Sequence, residues 1–203
     1  MTYYDFHTHR RETAGDVAAI VNVTAGEAWT DLRRVSVGVH PWHVTAQWRE
    51  QVEQVSSMAR RPEVACIGEC GLDRLRGGAW EWQRPCFEAQ LALAREVGKP
   101  VVVHCVRAID EVVAMRKKFG DVAMVLHGFR GKPQQAAQLL GQGFWLSFGP
   151  LFNAESLRMA FEAGRMCLET DDSGLSIREV YERASSALSI SPTDIPVPGT
   201  FWR

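Results

Sequence analysis

Eight short apolar runs alternate with longer amphipathic stretches along this chain, and this alternation restricts the possible folds more than any other feature of the sequence. Each run is rich in valine, isoleucine or aromatic residues, as strands buried on both faces of a parallel sheet are. The predicted strands are Tyr3–Phe6, Val17–Val23, Val35–Val39, Val64–Ile67, Pro100–Val103, Val122–Leu126, Phe144–Phe148 and Met166–Leu168.

The stretches between the runs have the spacing and the end signals of helices. Trp80–Val97 repeats apolar residues at helical intervals and stops at Gly98, with Pro100 just beyond. The other predicted helices are Ala46–Arg60, Ala108–Phe119, Pro133–Leu140, Asn153–Ala163 and Ser176–Leu188. Strands that alternate with helices predict a (β/α)8 barrel of the TIM type, formed as a single domain over residues 1–203.

Two connections are too short for this pattern. Only residues 10–16 separate the first two predicted strands, and residues 25–34 separate the second from the third. A parallel crossover normally needs about a dozen residues or more, usually helical. The sequence therefore predicts a barrel trimmed of outer helices near the N-terminus, and a homo-oligomer that covers the trimmed side is compatible with it.

Composition limits the class of protein. A formal net charge of −1 over 203 residues excludes a globally basic nucleic-acid binder, so contact with nucleic acid would need a local positive patch. No apolar run reaches the roughly 18 residues of a membrane span. The first residues are polar and charged where a signal peptide needs an apolar run, so we expect a cytoplasmic protein with no membrane partner.

The histidines share one position in the predicted fold. Each lies at or just past the C-terminal end of a predicted strand, where a (β/α) barrel forms a single face. One histidine after a strand is more often structural than a ligand, but six on one rim are hard to obtain by chance. These residues are His7, His9, His40, His43, His104 and His127.

Carboxylates occur at the same level. Glu69 and Asp171 end the fourth and eighth predicted strands, and Asp172 is an alternative to Asp171. His7 and His9 are two residues apart on a strand, so their imidazoles face the same side and one cation can bind both. Imidazole with carboxylate suits zinc, manganese, iron or nickel better than calcium or magnesium alone. The pattern predicts a catalytic metal centre with positions open to water.

These motifs, in this order, resemble the TatD family of metal-dependent deoxyribonucleases, within the amidohydrolase superfamily. The likeness extends from residue 3 to about residue 172. The motifs that carry it are Asp5-Phe6-His7-Thr8-His9, Val37-Gly38-Val39-His40-Pro41-Trp42, Ile67-Gly68-Glu69-Cys70-Gly71-Leu72-Asp73, Pro100-Val101-Val102-Val103-His104-Cys105, Leu126-His127-Gly128-Phe129 and Leu168-Glu169-Thr170-Asp171.

The resemblance implies a dinuclear site. By position, one metal is bound by His7, His9 and Asp171 and the second by His104 and His127, with Glu69 bridging the two. The resemblance implies two divalent ions. Zinc is our first choice, with manganese, magnesium and nickel as alternatives. Asp171 and Glu69 are then the catalytic residues, and Asp171 has an oxygen that could accept a proton from the attacking water.

The residues around the predicted site favour an anionic substrate, with DNA as the example that the family implies. Arg107 and Arg130 follow the fifth and sixth strands, and arginine matches phosphate bidentately. We expect His40 and His43 to contact the substrate with them. Trp42, Trp80 and Trp82 could stack on a base, and core packing is an equal alternative for each.

Two departures from the family pattern concern the substrate. Gly128-Phe129-Arg130-Gly131 stands where the family tends to have Cys-Phe-Ser-Gly, and Asp172-Ser173 where it has Ala-Pro.

A phosphodiesterase or deoxyribonuclease is the first interpretation of the function. The second is a small-molecule amidohydrolase, lactonase or phosphoesterase on the same metal site, and the third is an inactive binding or assembly subunit.

The cysteines complete the sequence-based predictions. The chain has five and no CxxC pair, which favours buried free thiols in a reducing compartment. Cys70 is the exception to watch, because it directly follows the predicted ligand Glu69.

Overall fold

Eight parallel strands form one sheet in a computed structural model that describes residues 1–27, 29, 31–199 and 201–202. Neighbouring strands in the sheet are also neighbours in the chain, in the order β1 to β8. The strands are β1 (Tyr3–Thr8), β2 (Val17–Thr24), β3 (Val35–Gly38), β4 (Val64–Asp73), β5 (Val101–Val106), β6 (Met124–Leu126), β7 (Trp145–Phe148) and β8 (Met166–Leu168).

Helices follow the strands from β3 onward. They are α1 (Trp48–Ala59), α2 (Trp80–Val97), α3 (Ile109–Lys118), α4 (Pro133–Gly141), α5 (Ala154–Glu162) and α6 (Ile177–Leu188). Short 3-10 helices cover Pro41–His43 and Pro192–Asp194. Across the described residues, no helix has the length and apolar character needed to cross a bilayer.

The strand order and direction confirm the predicted (β/α)8 fold. Thr8 at the end of β1 pairs in parallel with Asp171, three residues beyond β8, so the first strand meets the segment that follows the last. The trimming is confirmed as well, because none of the described residues between β1 and β2 or between β2 and β3 is helical.

The chain forms two compact units, and each buries its own apolar side chains. The first contains Met1–Val21 and Leu126–Arg203, and the second contains Asn22–Val125. Fully buried side chains in the first include Phe6, Phe144, Phe148 and Leu157, and those in the second include Ile67, Leu72 and Leu91. The prediction of a single domain stays a prediction.

β4 is longer than the sequence pattern predicts. It continues past Ile67 to Asp73, and Asp73 still pairs with Val106 of β5. The sequence pattern did not indicate this extension because the added residues include two glycines. At Gly71, with φ of +151°, a Cβ would lie 2.0 Å from the carbonyl oxygen of His104. Only glycine allows β4 and β5 to approach this closely. Gly71 suggests a strand end in the sequence, but the pairing of the two strands requires it.

Candidate metal centre

Four predicted ligands of the first unit lie together, and we call them the Asp171 cluster: His7, His9, His127 and Asp171. The ligand atoms of His7, His127 and Asp171 are all within 4.8 Å of one another. Asp171 Oδ1 lies 3.7 Å from His7 Nε2 and 3.5 Å from His9 Nε2. His7 is fully buried, whereas 28% of the Asp171 side chain is exposed, so the carboxylate is accessible from solvent.

Backbone hydrogen bonds hold Asp171 against the end of β1. Its N–H donates to the carbonyl oxygen of His7 at 2.9 Å, and the N–H of His9 donates to the carbonyl oxygen of Asp171 at 3.3 Å. Asp171 has a φ of +52°, a conformation that aspartate adopts more readily than most residues. The β1–β2 register also shifts between Asp5 and Thr8, the kind of irregularity that re-aims a side chain beside a site.

Glu169 lies behind His127 and is completely buried. Its Oε1 accepts a hydrogen bond from the N–H of Gly128 at 2.6 Å and lies 3.4 Å from His127 Nδ1. A carboxylate on one ring nitrogen commonly fixes a ligating histidine so that the other nitrogen faces the metal. Because Nδ1 of His127 faces Glu169, Nε2 is the ring nitrogen available to a metal.

A second buried carboxyl group, Asp5, supports the segment before Asp171. It accepts hydrogen bonds from the N–H of Thr170 at 2.9 Å and from the Thr170 hydroxyl at 2.6 Å. Burial raises the pKa of Asp5 to about 7, although both hydrogen bonds act in the opposite direction. Desolvation therefore outweighs the stabilisation of the charged form at this position.

Three residues of the second unit form the Glu69 cluster: His40, Glu69 and His104. Glu69 Oε1 lies 2.7 Å from His104 Nδ1 and 3.0 Å from His40 Nε2, and the two imidazole nitrogens are 3.3 Å apart. All three side chains are largely buried. Burial lowers the pKa of His40 despite the neighbouring Glu69 carboxylate, which favours the neutral imidazole that a metal ion binds.

The ligands of the Glu69 cluster are oriented by side chains outside it. Asn22 Oδ1 accepts a hydrogen bond from the N–H of Glu69 at 2.9 Å. Asp73 Oδ2 lies 3.2 Å from His104 Nε2, so Nδ1 of His104 is the atom available to a metal. Burial would raise the pKa of Asp73, but hydrogen bonds from Trp42, Leu75, His104 and Arg76 lower it.

Two buried glutamines of α2, which the sequence analysis did not identify, hold the segments that carry these residues. The Gln90 side chain accepts from the N–H of Val39 at 2.7 Å and donates to its carbonyl oxygen at 3.2 Å, directly before His40. Gln83 does the same for Asp73, at 2.8 and 3.0 Å. Their signal in the sequence is a pair of amides seven residues apart, on a helix face that is otherwise apolar.

Both clusters have the ligand chemistry of a divalent transition metal. Tetrahedral zinc with ligands at about 2.1 Å separates its donor atoms by roughly 3.4 Å. The Asp171 cluster is close to this spacing, with its carboxylate 3.5 and 3.7 Å from two imidazoles. In the Glu69 cluster the shortest separation, 2.7 Å, is a hydrogen-bond length. A metal ion there would replace a shared proton.

The remaining predicted site residues belong to neither cluster. His43 is the last residue of a 3-10 helix rather than a strand end, and its ring centroid lies 5.8 Å from that of His40. Arg107 and Arg130 follow β5 and β6 and are exposed, and neither forms an ion pair within the described part of the chain. The predicted pairing of His104 with His127 stays a prediction.

The structure confirms free thiols, most of them buried, and the reducing compartment stays a prediction. All five are free, and only Cys105 is partly exposed. Burial raises the pKa of Cys70 well above that of an ordinary thiol, which is typical of an inert packed side chain.

Comparison with known protein families gives a match over most of the chain. The profile of a family described as TatD related DNase matches residues 7–174. A protein named 3'-5' ssDNA/RNA exonuclease TatD from Klebsiella pneumoniae (strain 342) is 35% identical over 162 residues, which are 74% of this chain and 61% of that protein. The chain thus spans about three fifths of the length of such relatives.

Solved structures show the same fold. The TatD homologue YJJV from Escherichia coli K12 superposes with a TM-score of 0.75 at 23% identity, covering 95% of this chain and 93% of that one. A TatD family hydrolase from Entamoeba histolytica gives 0.72 at 15% identity, covering 96% and 94%. At these identities the likeness concerns the barrel alone.

Proposed function

Because the chain belongs to the family of TatD-related DNases, we propose that it is a metal-dependent phosphodiesterase that cleaves nucleic acid. The observation that carries this proposal is the grouping of imidazole and carboxylate ligands into the Asp171 and Glu69 clusters. We propose that each cluster binds one divalent ion, with zinc as the first choice. The bridging role of Glu69, the cytoplasmic location and the homo-oligomer remain predictions.

A divalent ion in such a site lowers the pKa of water towards neutrality and polarises the phosphoryl oxygen. Asp171 is suited to accept the proton of the attacking water. Its carboxylate is partly exposed, and its backbone is held between His7 and His9. A carboxylate that is open to solvent can accept a proton from a water molecule within hydrogen-bond reach.

The substrate that best fits this proposal is a nucleic acid with an accessible end. The Klebsiella pneumoniae relative is named as an exonuclease on single-stranded DNA and RNA, and we extend that activity to this chain only as a proposal. The exposed Arg107 and Arg130 follow strand ends, where they could contact the phosphates of a longer substrate. His40 and His43 are proposed to contact the scissile group.

Turnover by the zinc-loaded protein tests the proposal. The substrates are a single-stranded DNA oligonucleotide, labelled at either end, and bis(4-nitrophenyl) phosphate. We expect cleavage of both, abolished by a chelator and by His104→Ala. The matched control is Lys117→Ala on an exposed position of α3, which should leave both rates unchanged.

Three results would contradict the proposal. Turnover of carboxylic esters, lactones or amides without cleavage of phosphodiesters would favour a small-molecule hydrolase. The absence of any turnover with metal bound would favour an inactive binding subunit. Undiminished cleavage after chelation would remove the role of the metal.

A further inference from the structure

We propose that Trp42 and Arg76 form a nucleotide-binding subsite beside the Glu69 cluster, in which Trp42 stacks on a base and Arg76 binds a phosphate of a single-stranded nucleic acid. This inference rests on the proposed phosphodiesterase activity and adds the residues that bind the single-stranded substrate. Both residues lie in the second unit, on the connections that follow β3 and β4.

Trp42 is held directly against the candidate ligands and still exposes much of its surface. Its indole N–H donates to Asp73 Oδ2 at 2.6 Å. Its ring lies edge-on to His40, with centroids 4.9 Å apart, and to His104, at 5.8 Å. The residue is nevertheless 40% exposed, so part of its surface next to the Glu69 cluster faces solvent. Exposed aromatic side chains of this kind are the stacking surfaces of single-strand binders.

Arg76 adds a positive charge to the same surface. Its Cζ lies 4.0 Å above the Trp42 ring. Its guanidinium forms no ion pair with any described residue, so the charge and the planar donor group remain available to a phosphate. Guanidinium planes also serve as stacking surfaces for unpaired bases.

Arg74 provides a comparison within the same loop. Its Cζ lies 4.0 Å above the ring of Trp80, the same distance as in the Arg76–Trp42 pair. However, Arg74 forms an ion pair with Glu111, and this contact neutralises its charge. The two pairs therefore share their geometry and differ in whether the cation is available.

The loop that carries Arg76 is fixed before any substrate binds. Asp73 Oδ1 accepts hydrogen bonds from the N–H groups of Leu75 at 2.8 Å and Arg76 at 3.0 Å. Gly78 donates its N–H to the carbonyl oxygen of Pro41 at 3.0 Å, so this loop is attached to the segment that carries Trp42. Pre-organisation of this kind lowers the entropic cost of binding.

Asp73 therefore links the subsite to the candidate metal centre. One of its oxygens holds Trp42 and faces His104, and the other holds the backbone of Arg76. A ligand with both an aromatic face and a phosphate matches this arrangement. A single-stranded nucleotide has both groups free, whereas the bases of a duplex are already stacked and a small ester lacks the base.

Binding and turnover of the full chain test the subsite separately from the activity. Fluorescence anisotropy with a labelled single-stranded oligonucleotide is measured on chelator-treated protein at fixed salt concentration. Turnover of the oligonucleotide and of bis(4-nitrophenyl) phosphate is measured on zinc-loaded protein. The variants are Arg76→Ala and, as the matched control, Arg74→Ala.

Arg76→Ala is expected to weaken oligonucleotide binding about tenfold and to raise the oligonucleotide KM by a similar factor, with a much smaller effect on the small diester. Arg74→Ala should change binding less than about twofold, since its charge is already neutralised. Equal effects of the two variants, no effect of Arg76→Ala, or no binding by the unaltered protein would overturn the subsite.

The two proposals fail in different measurements. If the zinc-loaded protein cleaves no phosphodiester, the proposed function is wrong, and anisotropy on chelator-treated protein still decides the subsite. If the protein cleaves the oligonucleotide and Arg76→Ala leaves both binding and KM unchanged, only the subsite is wrong.

Discussion

The Asp171 and Glu69 clusters contain the same kinds of ligand and differ in how those ligands meet. In the Asp171 cluster the carboxylate lies 3.5 and 3.7 Å from its imidazoles, and it is partly exposed. In the Glu69 cluster the carboxylate lies 2.7 and 3.0 Å from its imidazoles and is 4% exposed. The first has the spacing of ligands around an ion, whereas the second is closed by hydrogen bonds. Similar residue types can therefore form an open site and a closed one.

The largest expected effect is the loss of activity when either cluster loses a ligand. We expect His7→Ala and His104→Ala each to lower kcat/KM for a phosphodiester at least about a thousandfold, because each removes several kcal/mol of transition-state stabilisation. Steady-state kinetics on zinc-loaded protein measures this. A loss of less than tenfold in one variant would mean that its cluster is dispensable for hydrolysis.

The next effect concerns the carboxylates behind the histidines. Glu169→Gln should weaken metal binding in the Asp171 cluster, and Asp73→Asn in the Glu69 cluster, each by about 10- to 100-fold. Each substitution keeps the shape of the side chain and removes its charge. That charge faces the histidine nitrogen that is not available to the metal. Isothermal titration with zinc resolves the two sites. If both variants weakened the same site, the assignment of one carboxylate to each cluster would be wrong.

A smaller effect follows from the hydrogen bonds within the Glu69 cluster. An ion must replace these bonds there, at a cost of about 1 kcal/mol each, whereas the Asp171 cluster has its ligands already apart. We therefore expect the Asp171 cluster to bind zinc about tenfold more tightly. Competition with a chromophoric chelator, with His104→Ala to remove the second site, measures the order. The reverse order would show that hydrogen bonding within the Glu69 cluster does not hinder metal binding.

A further effect, on stability rather than on metal binding, is a difference in pH dependence between Asp5 and Asp73. Burial raises the pKa of Asp5 from 3.8 to about 7, so its contribution to stability is complete below the lower value and is lost as the pH rises through the upper one. The pKa of Asp73 is lowered, so its contribution is present above the ordinary value and is lost in acid.

Urea unfolding of chelator-treated protein at several pH values tests this difference. Between about pH 5 and pH 7, Asp5 should reduce the free energy of unfolding by about 2 kcal/mol, and Asp5→Asn should remove that slope. Asp73→Asn should leave this slope in place and reduce the loss of stability at acid pH. An unchanged slope in Asp5→Asn would mean that Asp5 is ionised throughout the range.

The strands and most candidate ligands could be predicted because their signals are local. His7 and His104 lie at the ends of short apolar runs, and the predicted barrel places such ends on one face. The extension of β4 was missed because Gly68 and Gly71 indicate a strand end, although both are needed for close pairing with β5. This requirement depends on the neighbouring strand, which the local pattern does not contain.

The positioning residues could not be assigned from the sequence for a similar reason. Asp73 and Glu169 are carboxylates near strand ends, and there a ligand, a helix cap and a surface charge have the same signature. Their roles depend on which nitrogen of His104 or His127 they face, which only the folded chain determines. The difference between Arg76 and Arg74 likewise depends on Glu111, which pairs with Arg74 from 37 residues away in sequence.

Zinc content per chain, measured by mass spectrometry after loading and gel filtration, tests most directly whether each cluster binds its own ion. Two ions are expected in the unaltered protein, and one each in Asp171→Ala and His104→Ala. If the unaltered protein retained no zinc, or if both variants still retained two ions, the clusters would not be the metal centre.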